Sequence, residues 1–399
     1  MEATEEPLHY LSLLPQEIWR QILSEVYPPI LRVVCESLDA DLDYPRMVFN
    51  LQSQRAKLRL ICKRLEPIAV EVLFKEIAID PSTWCLQSLF DTIRCITGFG
   101  GSPFVYTASA FIQLDCRGNA SKIGKVDVDY LQQLHKYCPK IRLMVLNVVF
   151  DHTFQMHVDW IKGVETLMIR THHIESGNLH RISSQVHGLR RLILDTLTFN
   201  LVKPVTVADL TCLDLRCSLV KGFGFLSVSK IHQINTIFDP VNLVEHLALF
   251  EANGPHLEHL ALRSGILSRG LTNVGPLVKG MANVLRLCPR LKVLEVEGQF
   301  ISSEHPQPAL LSIHTLVLCF HNPKRDIIPA LCYWGFGSKS EMPTTVTTLV
   351  IKMRIGRLSE HGVRNLALSA VDAHFTRLGI TFTMKPVRYE QFMGIHISI

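Results

Sequence analysis

One short pattern, Φ-x-x-Φ-x-Φ with Φ apolar, keeps returning along this chain of 399 residues. It restricts the possible folds more than any other feature. The clearest copies are Ile141/Met144/Leu146, Val164/Leu167/Ile169, Leu189/Leu192/Leu194, Leu210/Leu213/Leu215 and Leu257/Leu260/Leu262. Four more follow at Leu291/Leu294/Val296, Ile313/Leu316/Leu318, Val346/Leu349/Ile351 and Phe375/Leu378/Ile380. Most starts lie 21 to 34 residues apart. Apolar residues two apart share one face of a strand. A strand–loop–helix unit of this size cannot bury its apolar side alone, but stacked copies make a parallel sheet over one continuous core. The expected fold is therefore α/β, with a repeat solenoid over residues 80–399. An ordinary α/β domain is the alternative, because its buried strands are also Leu/Val/Ile runs. Recurrence of one short template favours the solenoid.

Helices are expected between the strands. Residues 128–137 and 278–287 lead into Cys138-Pro139 and Cys288-Pro289, so a helix–Cys-Pro–strand block occurs twice, and Gly254-Pro255 punctuates a third copy. A further match, Val244/Leu247/Leu249, lies only 13 residues before the next copy. Leu243, Leu247 and Phe250 fit helical spacing, so residues 241–252 are predicted to be a helix.

The N-terminal part follows a different rule. Residues 1–11 read as an acidic leader. From Leu14-Pro15-Gln16-Glu17 the pattern turns helical: Pro15 suits a first turn, Glu17 suits the positive end of the helix dipole, and Ile18, Trp19, Ile22, Leu23 and Val26 make a wide apolar face. Pro28-Pro29 stops that helix. Residues of about 30–54, with an acidic stretch and Pro45, are predicted to be a loop or insertion. Leu58, Ile61, Cys62 and Leu65 then share a helical face, and Ile68, Ala69, Val72 and Leu73 continue after Pro67. Residues 12–79 thus read as a small helical module with an insertion, ending in an alternating strand-like run from Lys75 to Asp80.

Composition excludes several classes. Hydrophobic residues make up 47%, which is a folding composition and not a disordered one. A net charge of +5, spread along the chain, does not point to nucleic acid or a membrane as partner. The start Met1-Glu2-Ala3-Thr4-Glu5-Glu6 lacks the basic and apolar regions of a signal peptide, and no apolar run approaches the roughly 20 residues of a membrane span. The expectation is a soluble chain of the cytoplasm or nucleus. The 11 cysteines sit in apolar pattern, as core hydrophobes do in a reducing compartment.

No chemistry assembles from the motifs. Neither HExxH nor paired CxxC occurs among the 18 histidines and the cysteines, and the glycine clusters at Gly98–Gly101, Gly222–Gly224 and Gly335–Gly337 lack phosphate-loop or dinucleotide spacing. No nucleophile–base set is apparent. The expectation is no enzyme activity, no metal and no cofactor.

The N-terminal module resembles the F-box. The family's Leu-Pro-x-Glu-Ile opening stands as Leu14-Pro15-Gln16-Glu17-Ile18, followed by Ile22 and Leu23, and its Leu-Val-Cys-Lys-Arg-Trp element as Leu60-Ile61-Cys62-Lys63-Arg64-Leu65, with Leu65 at the Trp position. The remainder is similar to the leucine-rich repeats often joined to F-boxes, with Leu197, Gly265 and Gln299 where that family places a ladder of Asn or Cys. The resemblance implies a substrate-receptor subunit of a Skp–cullin–F-box ubiquitin ligase. Its repeats would bind a protein substrate that no motif names. Carried over by motif, Leu14, Pro15, Ile18, Ile22, Leu60 and Cys62 would pack against the Skp-type adaptor. Two alternatives stay open: a repeat scaffold with a vestigial F-box and no ligase role, and an α/β enzyme with a site in its loops.

Overall fold

The computed structural model describes residues 14–26, 48–50, 52–53, 66–79, 103–115, 134, 137–149, 161–263, 275–297, 312–320, 331, 334, 345–355, 375–376 and 380–388. It is an α/β fold with a large parallel sheet and few helices. The chain divides into two compact units, Met1–Thr153 with His157–Met168, and Phe154–Met156 with Ile169–Ile399.

In the first unit, helices α1 (Gln16–Val26) and α2 (Glu66–Phe74) precede strands β1 (Glu76–Ile79), β2 (Ser109–Asp115) and β3 (Leu143–Val149). β2 pairs in parallel with both β1 and β3. Leu23, Ile68 and Val72 are buried on the helices. Residues 48–50 and 52–53 are helical, although the sequence around them reads as loop. They do structural work on β1: Gln52 Oε1 accepts from the Ala78 N–H (2.5 Å) and its Nε2 donates to the Ala78 carbonyl (3.3 Å). Phe49 meets Phe111 edge to face, with ring centroids 5.8 Å apart.

The boundary between units falls within β4 (Thr166–Glu175). In the second unit follow α3 (Ser176–Gln185), β5 (Arg191–Asn200), β6 (Val205–Val207), β7 (Cys212–Lys221), β8 (Leu226–Val228) and β9 (Gln233–Ile237). Then come α4 (Leu243–Asn253), β10 (His259–Arg263), α5 (Gly275–Leu287), β11 (Val293–Glu297), β12 (Thr315–Phe320), β13 (Thr348–Ile355) and β14 (Thr381–Arg388). The strands β5-β7-β9-β10-β11-β12-β13-β14 lie side by side in that order, every pair parallel. β6 and β8 form a separate two-stranded parallel ladder.

The register explains the template. Its second apolar position forms one row, Leu192↔Leu213↔Ile234↔Leu260↔Leu294↔Leu316↔Leu349. Its third forms the next, Leu194↔Leu215↔Thr236↔Leu262↔Val296↔Leu318↔Ile351. All of these are buried. The first position, as in Leu189, Leu210, Leu257 and Leu291, is buried two residues ahead of its strand.

Two units escape the template for a visible reason. Ile231/Ile234/Thr236 fills the long step between Leu210 and Leu257, with buried Thr236 in an apolar position. Thr107/Ala110/Ile112 leads into and through β2, with Thr107 Oγ1 donating to the Phe74 carbonyl at 2.7 Å. One copy is misplaced in sequence. Phe375 is helical, and the ladder aligns Leu349 with Phe382 and Ile351 with Met384, so the strand unit begins after Ile380. Phe375 and Ile380 are buried, but in the approach to the strand. The expected helices at 241–252 and 278–287 stand as α4 and α5, while 128–137 lies mostly outside the described residues.

Polar side chains tie the units of the repeat together. Asn253, at the end of α4, donates to the Leu226 carbonyl (2.8 Å) and accepts from the Val228 N–H (2.8 Å). Asn242, just before α4, accepts from the Val220 N–H (3.2 Å) and donates to the Ser218 carbonyl (2.9 Å). The loop end of β7 is thus satisfied from the segment leading into α4. Replacing Asn253 by Leu strands a buried donor and a buried acceptor, at about 1–3 kcal/mol per group.

Close approach governs Gly254. A Cβ there would lie 2.5 Å from the Leu287 carbonyl oxygen and 3.1 Å from Cys288 Sγ, so the turns before β10 and β11 meet backbone to backbone. Gly254→Ala is expected to destabilise by about 1–3 kcal/mol in urea titration, the range for an overpacked site.

Burial of His246 generates a second expectation. Its ring lies fully buried on α4 between Phe223 and Phe238, with centroids 5.4 and 5.2 Å away. Burial lowers its pKa from 6.5 to about 3. Below about 6.5 the unfolded chain takes the proton that the folded chain refuses, so stability falls as pH drops, by up to about 1.4 kcal/mol per pH unit. Above that pH the effect vanishes. Denaturant titrations from pH 7 to 5 should show a shallower fall in His246→Phe than in the parent.

Candidate functional site

Alternation along the strands divides the second unit's residues between two faces. Leucine rows occupy one face; the other carries charge. Along β5 and β7 it presents Arg191, Asp195, Asp214 and Arg216, and along β9 to β13 it presents Gln233, Asn235, His259, Arg263, Glu295, Glu297, Cys319 and Lys352.

Its charges are mostly matched. Arg191 Nη2 donates to Asp214 Oδ2 at 2.6 Å, and Asp214 is buried. Arg170 Nε lies 3.7 Å from Asp195 Oδ2. Burial raises the Asp195 carboxyl pKa despite the opposing pull of Arg216 and Arg170. Gln233 Nε2 donates to Asn235 Oδ1 at 3.0 Å.

The densest group surrounds Glu295, which is 5% exposed. Its Oε1 accepts from Arg263 Nη2, from Lys352 Nζ (2.7 Å) and from Cys319 Sγ (3.1 Å). His259 Nε2 lies 4.0 Å from Oε2. Burial alone would raise the Glu295 carboxyl, but Arg263 and Lys352 outweigh it and hold the pKa at about 2. Burial pushes the Cys319 thiol up to about 12, so the sulfur is a thiol and not a nucleophilic thiolate near neutrality. Nor are the other free cysteines among the described residues activated: Cys138, Cys212 and Cys288 are pushed to about 12 and Cys217 well above its usual value, all chiefly by burial.

None of these charged residues stood out in the sequence. For Asp214, Asn235 and Glu295 a signal exists, the polar residue at the x between the second and third apolar positions.

The residues singled out by sequence lie in the first unit. Leu14, Pro15, Ile18 and Ile22 are all exposed, three of them large aliphatics at 41%, 39% and 37%. Ile18 and Ile22, four residues apart, share one side of α1, and Leu14 lies two residues before the helix begins. Leu23 is buried, and Arg20 Nε meets Glu71 Oε2 of α2 at 2.9 Å. Helix α1 therefore has two apolar sides, one packed within the unit and one facing water. Leu60 and Cys62 lie outside the described residues.

The chain matches no family model and no curated protein. Among the described residues no helix is long and apolar enough to cross a membrane, which says nothing of a membrane-spanning β-barrel.

Removing one partner of the Glu295 group is expected to be costly. Arg263→Met leaves a buried carboxylate short of its main partner, and such losses run to about 3–5 kcal/mol. Urea titration should show that loss, and the double variant Arg263→Met/Glu295→Leu should recover most of it.

Proposed function

We propose that this chain is a substrate-receptor subunit of a Skp–cullin–F-box ubiquitin ligase, docking to a Skp-type adaptor through its N-terminal helices and holding a protein client on its repeats. One observation carries the reading: Ile18 and Ile22 form an exposed aliphatic ridge on a helix whose other side is already packed, preceded by exposed Leu14 and Pro15. Exposed aliphatics just before and along one side of α1 invite a partner helix. Their positions coincide with the F-box motif residues, and Leu60 and Cys62 complete the motif in sequence. A parallel sheet built from repeating units suits the second half of the reading, since stacked repeats present a broad surface to a macromolecule. The role is adaptor binding and client holding, with no chemistry of its own.

A repeat scaffold with a vestigial F-box would share the sheet surface but leave the ridge without a partner. Ile18→Asp separates the two. A carboxylate on the ridge either keeps its water and holds the adaptor off, or is buried unpaired at a cost of several kcal/mol. Each 1.4 kcal/mol or so is tenfold in affinity. Ile18 is partly exposed in the free chain, so its helix should tolerate the change. The expected outcome is loss of purified Skp adaptor in a pull-down with unchanged helical circular dichroism. Retention of the adaptor by the variant, or no binding by the parent, would sink the proposal.

A further inference from the structure

Donors outnumber acceptors around Glu295. Arg263 has five N–H groups and Lys352 three. Among the described residues, Lys352 Nζ makes one hydrogen bond, to Glu295 Oε1, an oxygen already shared with Arg263 Nη2 and Cys319 Sγ. Among those residues Arg263 Nη1 has only the Cys319 sulfur, at 2.9 Å, and a thiol is a weak acceptor. Among the described residues, Arg263 Nε and His259 Nε2 are buried with no hydrogen-bond partner. The surplus is one of donors and not of net charge, because Glu295 and Glu297 balance Arg263 and Lys352. The group also reaches the surface: the Lys352 and His259 side chains are 35% and 32% exposed.

We propose that Arg263, Lys352 and His259 form an anion subsite on the charged sheet face, taking a carboxylate or phosphoryl oxygen carried by an acidic or phosphorylated segment of a client protein. The planar guanidinium fork suits two oxygens of one anion, and a lysine adds a rotatable donor beside it. An incoming oxygen would replace the Cys319 sulfur as acceptor for Arg263 Nη1 and would use the remaining Lys352 donors. Glu295 is then the internal competitor for both cations. The proposal rests on the receptor reading only in assigning the anion to a client protein.

This competition gives the test its sign. With the full chain and no adaptor present, inorganic phosphate is titrated calorimetrically, followed by two labelled octapeptides, one glutamate-rich and one neutral but for a single phosphoserine. Saturable phosphate binding is expected. Lys352→Gln, which removes one charge-assisted hydrogen bond, should weaken it by about tenfold. Glu295→Gln should tighten it, whereas a purely structural Glu295 predicts only lower stability. Absence of saturation, indifference to Lys352→Gln, or weaker binding in a folded Glu295→Gln variant would each overturn the subsite. If Glu295→Gln does not fold, the partly exposed Lys352 variant decides alone. Binding of the glutamate peptide identifies a carboxylate carrier, and binding of the phosphoserine peptide alone a phosphoryl carrier. Phosphate binding with neither peptide bound overturns the client-segment assignment. Adaptor docking is measured separately through Ile18, so either proposal can fail without the other.

Discussion

Parallel pairing of strands in a common register is the constraint on which the second unit depends. Each strand contributes two apolar side chains to one face, and pairing aligns them into rows such as Leu192↔Leu213↔Ile234 and Leu194↔Leu215↔Thr236. A slip by one residue would send both rows to the opposite face and bring Asp214 or Glu295 into the core. The rows therefore hold the register, and the register in turn places every charged residue of the other face. Arg191 meets Asp214 and Arg263 meets Glu295 because their strands are neighbours, although 23 and 32 residues separate them in sequence.

Backbone satisfaction between elements follows the same logic. The turns before β10 and β11 approach closely enough that only glycine fits at position 254. Asn242 and Asn253 reach back from α4 to carbonyls and amides of the preceding repeat. A repeat read alone lacks such partners, since the side chain that satisfies it belongs to its neighbour.

The two candidate surfaces differ in physical kind, and each matches a different task in the proposed receptor. On α1 the ridge is aliphatic and exposed, suited to a constant partner that buries it. On the second unit's sheet the face is polar and densely hydrogen-bonded, with its unused donors gathered near Arg263 and Lys352. A surface of that kind distinguishes partners by the charges they bring more than by the area they cover.

Local pattern alone determined the strand template, the helices expected at 241–252 and 278–287 and the amphipathic start of α1, because each rests on spacing within a few residues. It missed the units at Ile231 and Thr107, where a threonine takes an apolar position and its hydroxyl donates to the Ile237 or the Phe74 carbonyl. It misplaced the last strand, where three apolar residues imitate the template but the ladder begins at Thr381. It also read residues 48–53 as loop, since the helix there is justified by Gln52 and Phe49 against β1 and β2. The wide apolar face of Ile18, Trp19, Ile22, Leu23 and Val26 was legible as periodicity, but which part of it is packed and which exposed was not. That, like the convergence of Arg263, Lys352 and Cys319 on Glu295, belongs to tertiary structure alone, because side chains from different strands come within hydrogen-bonding reach only when the register aligns them.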